Sequence, residues 1–347
     1  DETFDLGQGR NKAKAARYGK GRLYLGFVKK VMRAVRRQGK TPMLWGDIIL
    51  NHPKLVPSMP LKAVVLNWDY TPDVLRGGSD LFAAAGRPFY VCPGVHAWLG
   101  WLPQLDIARE NILAQARAGL KYGAEGLLNT DWGDCGHVNF LSSSYYGLVL
   151  GAAAGWNVKT HRGEEPTALD RRIGALEFGD RSGRLLRRLR RMGTAQVVDW
   201  KTMARWLETS CAPGAFGADT PLLDLTTAQL RRLETAYTRL VRDREGLEDD
   251  LATATPRDPL VARETCLGAE GADLLLAATL ALFRARGLQC RPATRRVPPA
   301  AEVADALRRF EGRVSAVWHQ RNRPSEYFRI RLALLELARR LDVVHCT

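Results

Sequence analysis

A chain of 347 residues with 46% hydrophobic content can bury one large core or two modest ones, and no low-complexity stretch interrupts it. No apolar run approaches the roughly 20 residues that span a bilayer, and no signal peptide is visible, so no membrane partner is expected. Six scattered cysteines (Cys92, Cys135, Cys211, Cys266, Cys290, Cys346) lack C-x-x-C spacing, which argues against a metal site or a disulfide framework and for a reducing, cytoplasmic setting.

The chain opens on two adjacent acids, Asp1 and Glu2, followed by a glycine-containing turn, Thr3 to Gly9. Neighbouring residues at a strand end point in different directions, so the two carboxylates can serve different parts of one substrate. A pair of this kind at residue 1 implies that the chain starts inside a fold. Asn11 to Gln38 carries Tyr18, Leu25, Val28 and Val31 on one apolar stripe, with Gly39 placed to end a helix. Four β-rich runs follow: Met43 to Ile49, Ala63 to Tyr70, Pro88 to Cys92 and Gly126 to Trp132. A helix over Leu105–Leu120 separates the last two, and a small-residue helix covers Tyr145 to Ala154. Alternation of this kind marks βα units and a parallel sheet.

Each run ends in polar or aromatic residues: Trp45 and Asp47; Trp68, Asp69 and Tyr70; Pro93 to Trp98; Asp131, Trp132 and Asp134. In a (β/α)8 barrel that edge binds and transforms the substrate. A whole barrel takes roughly 250 residues, whereas the barrel-like pattern stops near residue 157. The expected fold is therefore α/β: the C-terminal half of a (β/α)8 TIM-type barrel, strands four or five to eight, over residues 1–157. A mainly α-helical domain over residues 158–347 follows it.

The net charge of +15 is densest in Arg184 to Arg191, where Leu185, Leu186 and Leu189 recur at helical spacing and the arginines fall on the other face. No aromatic residue is interleaved there, so a solvated amphipathic helix is expected and a nucleic-acid partner is not. Further helices are expected over Val198–Thr209, Thr226–Arg244, Cys266–Arg286, Ala300–Gln320 and Ser325–Leu341, with packing or a homodimer contact as their role.

The ordered set of Asp1-Glu2, Trp45, Asn67-Trp68-Asp69-Tyr70, Pro93-Gly94-Val95-His96-Ala97-Trp98 and Asn129-Thr130-Asp131-Trp132-Gly133-Asp134 resembles glycoside hydrolase family 20, the β-N-acetylhexosaminidases, over residues 1 to about 157. A weaker echo lies in Trp318 to Pro324. The resemblance implies an exo-acting, retaining hydrolase of terminal N-acetylglucosamine or N-acetylgalactosamine that needs no cofactor and no metal. In such enzymes the substrate's own acetamido oxygen attacks the sugar. By position Glu2 is implied as the general acid and Asp1 as the group that orients the acetamido N–H. Tyr70 would donate its hydroxyl to the acetamido carbonyl, with Asp69 as a competing polar contact. Trp45, Trp68, Trp98 and Trp132 would wall the sugar pocket, and Asp134 would bind the O4 and O6 hydroxyls.

Packing is the competing reading for each aromatic residue, and Trp101 is assigned to it outright. His52, His96 and His137 are expected in structural roles, with His137 the best of them as a rim residue. The chain departs from the family in three ways. Only the last two residues of His-x-Gly-x-Asp-Glu are present, a strand-one arginine is lacking, and Asp134 stands where Glu is more usual. Alone, the chain is expected to be poorly soluble or inactive. Two alternatives stay open, an inactive carbohydrate-binding remnant and a barrel hydrolase of other chemistry. A metal-dependent member of the latter is disfavoured, since no H-x-H or clustered His/Asp set appears.

Overall fold

A computed structural model describes residues 3–72, 78–161, 166–211, 226–285 and 297–345. Asp1 and Glu2, the implied catalytic pair, lie outside the described residues. The chain is mostly helical and carries a small parallel sheet, an α/β arrangement. It divides into two compact units. The first comprises Asp1–Val95, Ile107–Thr130 and Leu148–Gly163; the second comprises His96–Asp106, Asp131–Gly147 and Glu164–Thr347.

The first unit begins with α1 (Lys12–Tyr18) and α2 (Lys20–Arg37), split at Gly19, whose φ of 83° interrupts the single helix the sequence suggests. Leu25 and Met32 are buried, with Val28 packed beside them. Tyr18 and Val31 are instead about half exposed, so the apolar stripe is narrower than expected. Strand β1 (Met43–Trp45) is shorter than its β-rich run, because the chain turns at Gly46 into α3 (Asp47–Leu50). A Cβ on Gly46 would lie 2.9 Å from Val65, so the turn packs tightly on the next strand.

Strand β2 (Val64–Trp68), α4 (Ser79–Ala84), β3 (Phe89–Cys92), α5 (Leu105–Tyr122) and β4 (Gly126–Leu127) follow. Among the described residues the sheet has the order β1-β2-β3-β4, every neighbouring pair is parallel, and Gly94 bridges Thr130 beyond β4. Val65, Phe82, Phe89 and Val91 form its core with Leu25, Met32 and Ile49. Their buried apolar surface is the main driving force for this unit.

Helix α6 (Ser142–Asn157) follows, and from Pro166 onward every described element is a helix. These are α7 (Pro166–Glu177), α8 (Arg184–Thr194), α9 (Trp200–Cys211), α10 (Thr227–Glu245), α11 (Leu247–Ala252), α12 (Leu260–Ala285), α13 (Ala300–Trp318) and α14 (Tyr327–His345). Contrary to the expectation from run length, α12 is long and apolar enough to cross a membrane. Most of its residues are buried, and it packs on α10, α13 and α14.

Helix α8 also corrects the reading of its arginines as surface charge. Leu185, Leu186, Leu189 and Met192 are buried as expected. Arg188, however, pairs with Asp250 at 2.6 Å and donates to the Asp243 carbonyl at 3.1 Å. Arg190 pairs with Asp170 at 2.7 Å and with Asp106, and Arg191 pairs with Asp243 at 2.8 Å. Asp170, Asp243 and Asp250 are themselves buried, and Arg188 and Arg190 are largely covered, so their pairs with these carboxylates are internal contacts of the second unit, whereas Arg184 and Arg191 stay exposed as expected.

Candidate functional site

In the first unit the implied residues collect at the C-terminal edge of the sheet. Trp45 closes β1 and is half-buried. Trp68 closes β2 and is 36% exposed, and Tyr70 stacks on it with ring centroids 4.9 Å apart and planes 22° from parallel. Alternation along an extended chain puts residues 68 and 70 on one side, which is why these two rings meet. The Thr130 hydroxyl, beyond β4, lies 3.5 Å from the Tyr70 hydroxyl and donates to the Pro93 carbonyl at 2.8 Å. One Asp69 carboxylate oxygen accepts from the Thr71 N–H and hydroxyl, both at 2.8 Å, so it shapes the turn.

That turn is fastened from below by Asn111 of α5, a residue the sequence did not single out. Fully buried, it donates to the carbonyls of Asp69 and Thr71 at 2.8 Å each and accepts from the Gly94 N–H at 2.9 Å. Gln115, one turn further on, also donates to the Asp69 carbonyl at 3.3 Å. Asn111 thus uses both ends of its amide to hold the loops after β2 and β3. Asp47 stands in the first turn of α3, and its charge adds to burial in raising the Tyr24 hydroxyl pKa. Cys92 is buried, and burial pushes its thiol up to about 12, which suits packing and not nucleophilic attack.

The second unit holds Trp98, Trp132 and Asp134. Trp98 stacks on His96 with centroids 4.9 Å apart, in a loop where His96 and Leu99 take φ values of 53° and 63°. Trp132 is half-buried, while Asp134 is exposed and opens a tight turn, Asp134–Gly136. Cys135, Gly136 and His137 all have positive φ, at 56°, 103° and 50°. Left-handed backbone at non-glycine residues is uncommon and persists where surrounding contacts impose it. His137 leans edge-on against Trp318 at 5.9 Å, and the loop forms one wall of an open groove of about 760 Å³ with Trp200, Leu207, Ile330 and Glu336. Hydrogen bonds from Arg339 and then Arg340 hold Glu336 down at about 2, a charged group at neutral pH.

Trp101 is 1% exposed and packs edge-on against Trp200 and Phe310, as its assignment to packing requires. The Trp318 to Pro324 segment supplies Arg321, which pairs with Asp258 at 2.5 Å and Glu264 at 2.9 Å and donates to the Tyr145 hydroxyl at 2.9 Å. Glu264 is 2% exposed, its pKa is raised by burial, and it accepts from the Ser142 N–H at 3.0 Å. Among the described residues no three His, Cys, Asp or Glu side chains converge as a metal site.

No family model matches the chain, and no curated protein sequence matches it either.

Proposed function

We propose that the chain carries the C-terminal half of the (β/α)8 barrel of a retaining exo-β-N-acetylhexosaminidase. It would act on terminal N-acetylglucosamine or N-acetylgalactosamine by substrate-assisted catalysis. The observation that carries the reading is the edge of the parallel sheet, where an exposed indole stacks on a tyrosine whose hydroxyl neighbours Thr130. A flat aromatic face suits the axial C–H groups of a pyranose, and a phenol held among polar strand ends suits an amide carbonyl. The consecutive strand order with helices between parallel strands supports the barrel.

On this reading Glu2 protonates the glycosidic oxygen, the acetamido oxygen attacks C1, and Glu2 then takes a proton from the water that opens the cyclic intermediate. Asp1 accepts the acetamido N–H and offsets the positive charge that develops on the ring, a gain in placement and electrostatics. Tyr70 steadies the acetamido oxygen from the other side, and Asp134 binds the outer hydroxyls.

The test is hydrolysis of aryl N-acetyl-β-glucosaminide and galactosaminide by the full-length protein, with and without chelator. Turnover is expected with and without chelator. Glu2→Gln should lower the rate by roughly 10²- to 10⁴-fold on poorly activated leaving groups, and Asp1→Asn should also lower it. No turnover with retained sugar binding would replace this reading by the inactive remnant, and loss of activity with chelator would replace it by a metal-dependent hydrolase.

A further inference from the structure

Trp200, the first residue of α9, makes two hydrogen bonds that no motif in the sequence foretells. Its backbone N–H donates to the Leu99 carbonyl at 2.8 Å, and its indole N–H donates to the Cys135 carbonyl at 2.7 Å. Leu99 follows Trp98 directly, and Cys135 follows Asp134 directly. One buried residue, 2% exposed, is therefore fastened to both loops that bear the sugar-facing candidates of the second unit.

Both loops need such an anchor. His96, Leu99, Cys135 and His137 each hold a left-handed backbone without being glycine, a conformation that persists only where the surroundings over-determine it. The first loop has a second clasp, since the Gln196 amide accepts from the Leu102 N–H at 3.0 Å and donates to the Leu102 carbonyl at 2.7 Å. The Trp200 ring is itself braced edge-on by Trp101 at 5.9 Å, and Trp101 by Phe310 at 5.1 Å. The anchor is a wedge of aromatics packed edge to face, and an indole is the side chain that combines such bulk with a hydrogen-bond donor.

We infer that Trp200 is a positioning residue: by holding the Cys135 carbonyl against α9 it fixes where Trp132 and Asp134 stand relative to Trp98, and thereby sets how the protein discriminates the 4-hydroxyl of the terminal sugar. The inference rests on the sugar-hydrolase reading for its chemistry and on the two hydrogen bonds for its geometry. Helix α9 then has a specific task in substrate recognition.

Trp200→Phe tests it, because phenylalanine keeps an aromatic ring and the backbone bond to Leu99 and removes the indole donor, while a cavity control accounts for the space left by the smaller ring. In the full-length variant, amide hydrogen exchange over residues 131–138 is expected to accelerate while exchange in α10 and α12 stays at the wild-type rate. With the aryl N-acetyl-glucosaminide and galactosaminide as probes, kcat/KM is expected to fall by roughly tenfold, as small misplacements of binding groups are amplified in rate. The ratio between the two epimers should shift in the same direction as in Asp134→Asn, and the double variant should shift it no further. Leu240→Ala, a cavity at a fully buried side chain of α10, serves as the stability control and should lower Tm without moving that ratio. Unchanged exchange over 131–138 in Trp200→Phe overturns the inference, as does an equal change of ratio in Leu240→Ala. Should the wild type turn over neither glycoside, the hydrolase reading falls, and the exchange experiment still decides whether Trp200 positions the loop.

Discussion

Asn111 and Trp200 show how much of a candidate site rests on side chains with no signature of their own. An asparagine on a helix and a tryptophan at a helix start are unremarkable in sequence. Their partners lie about 40 and 65 residues away, at Thr71 and Cys135. The residues at the strand ends were legible for the opposite reason: aromatic and acidic side chains that close an apolar run stand out locally, and Trp68 and Tyr70 do meet. The same logic predicts the cost of losing the hub. Asn111→Leu leaves the buried Gly94 N–H without its acceptor and takes one donor each from the Asp69 and Thr71 carbonyls, of which Asp69 keeps Gln115, so folding stability should drop by about 1–3 kcal/mol. Chemical denaturation measures this, and a midpoint within error of wild type would show that the hub is dispensable.

At the scale of elements, helices were the easier prediction because their ends are written locally. Helix α10 begins at a capping box, in which the Thr226 hydroxyl accepts from the Gln229 N–H at 3.3 Å and the Gln229 side chain accepts from the Thr226 N–H at 2.8 Å. Thr226→Ala should therefore cost about 1 kcal/mol, read as a lower thermal midpoint, and an unshifted midpoint would count against the cap. What a helix packs against is not local. A Cβ on Gly271 of α12 would stand 2.4 Å from the Trp101 ring, so Gly271→Ala must push a fully buried indole and should destabilise by about 1–3 kcal/mol despite alanine's better helix propensity. A stabilised Gly271→Ala protein would refute that packing. The arginines of α8 make the same point: periodicity put them opposite the leucines, yet Asp243 and Asp250 lie on α10 and α11, elements that periodicity in α8 cannot see.

For the whole molecule, charge inside the helical unit carries a pH signature. Asp273 sits on the buried α12, and burial pushes its carboxyl up to about 6 against the pull of Arg244 at 3.0 Å. In the unfolded chain an aspartate titrates near 3.9, so between these values the folded state holds more protons than the unfolded one. Its contribution to stability is complete below about pH 4 and is lost as pH rises through about 6. The stability difference between wild type and Asp273→Asn should thus change across that window by up to about 3 kcal/mol, and parallel pH profiles would rule the shift out. By itself the sequence determined the alternation of four β-rich runs with helices, the helical second half and the aromatic and acidic residues at the strand ends, because periodicity and end signals act within a few residues of chain. Only the tertiary structure decided that α1 and α2 are separate, that β1 stops at Trp45, that α12 is covered by its neighbours, and that Asn111 and Trp200 hold the loops. Those outcomes depend on which distant surfaces meet, and the free energy of burying one residue against another is not encoded in the spacing around either.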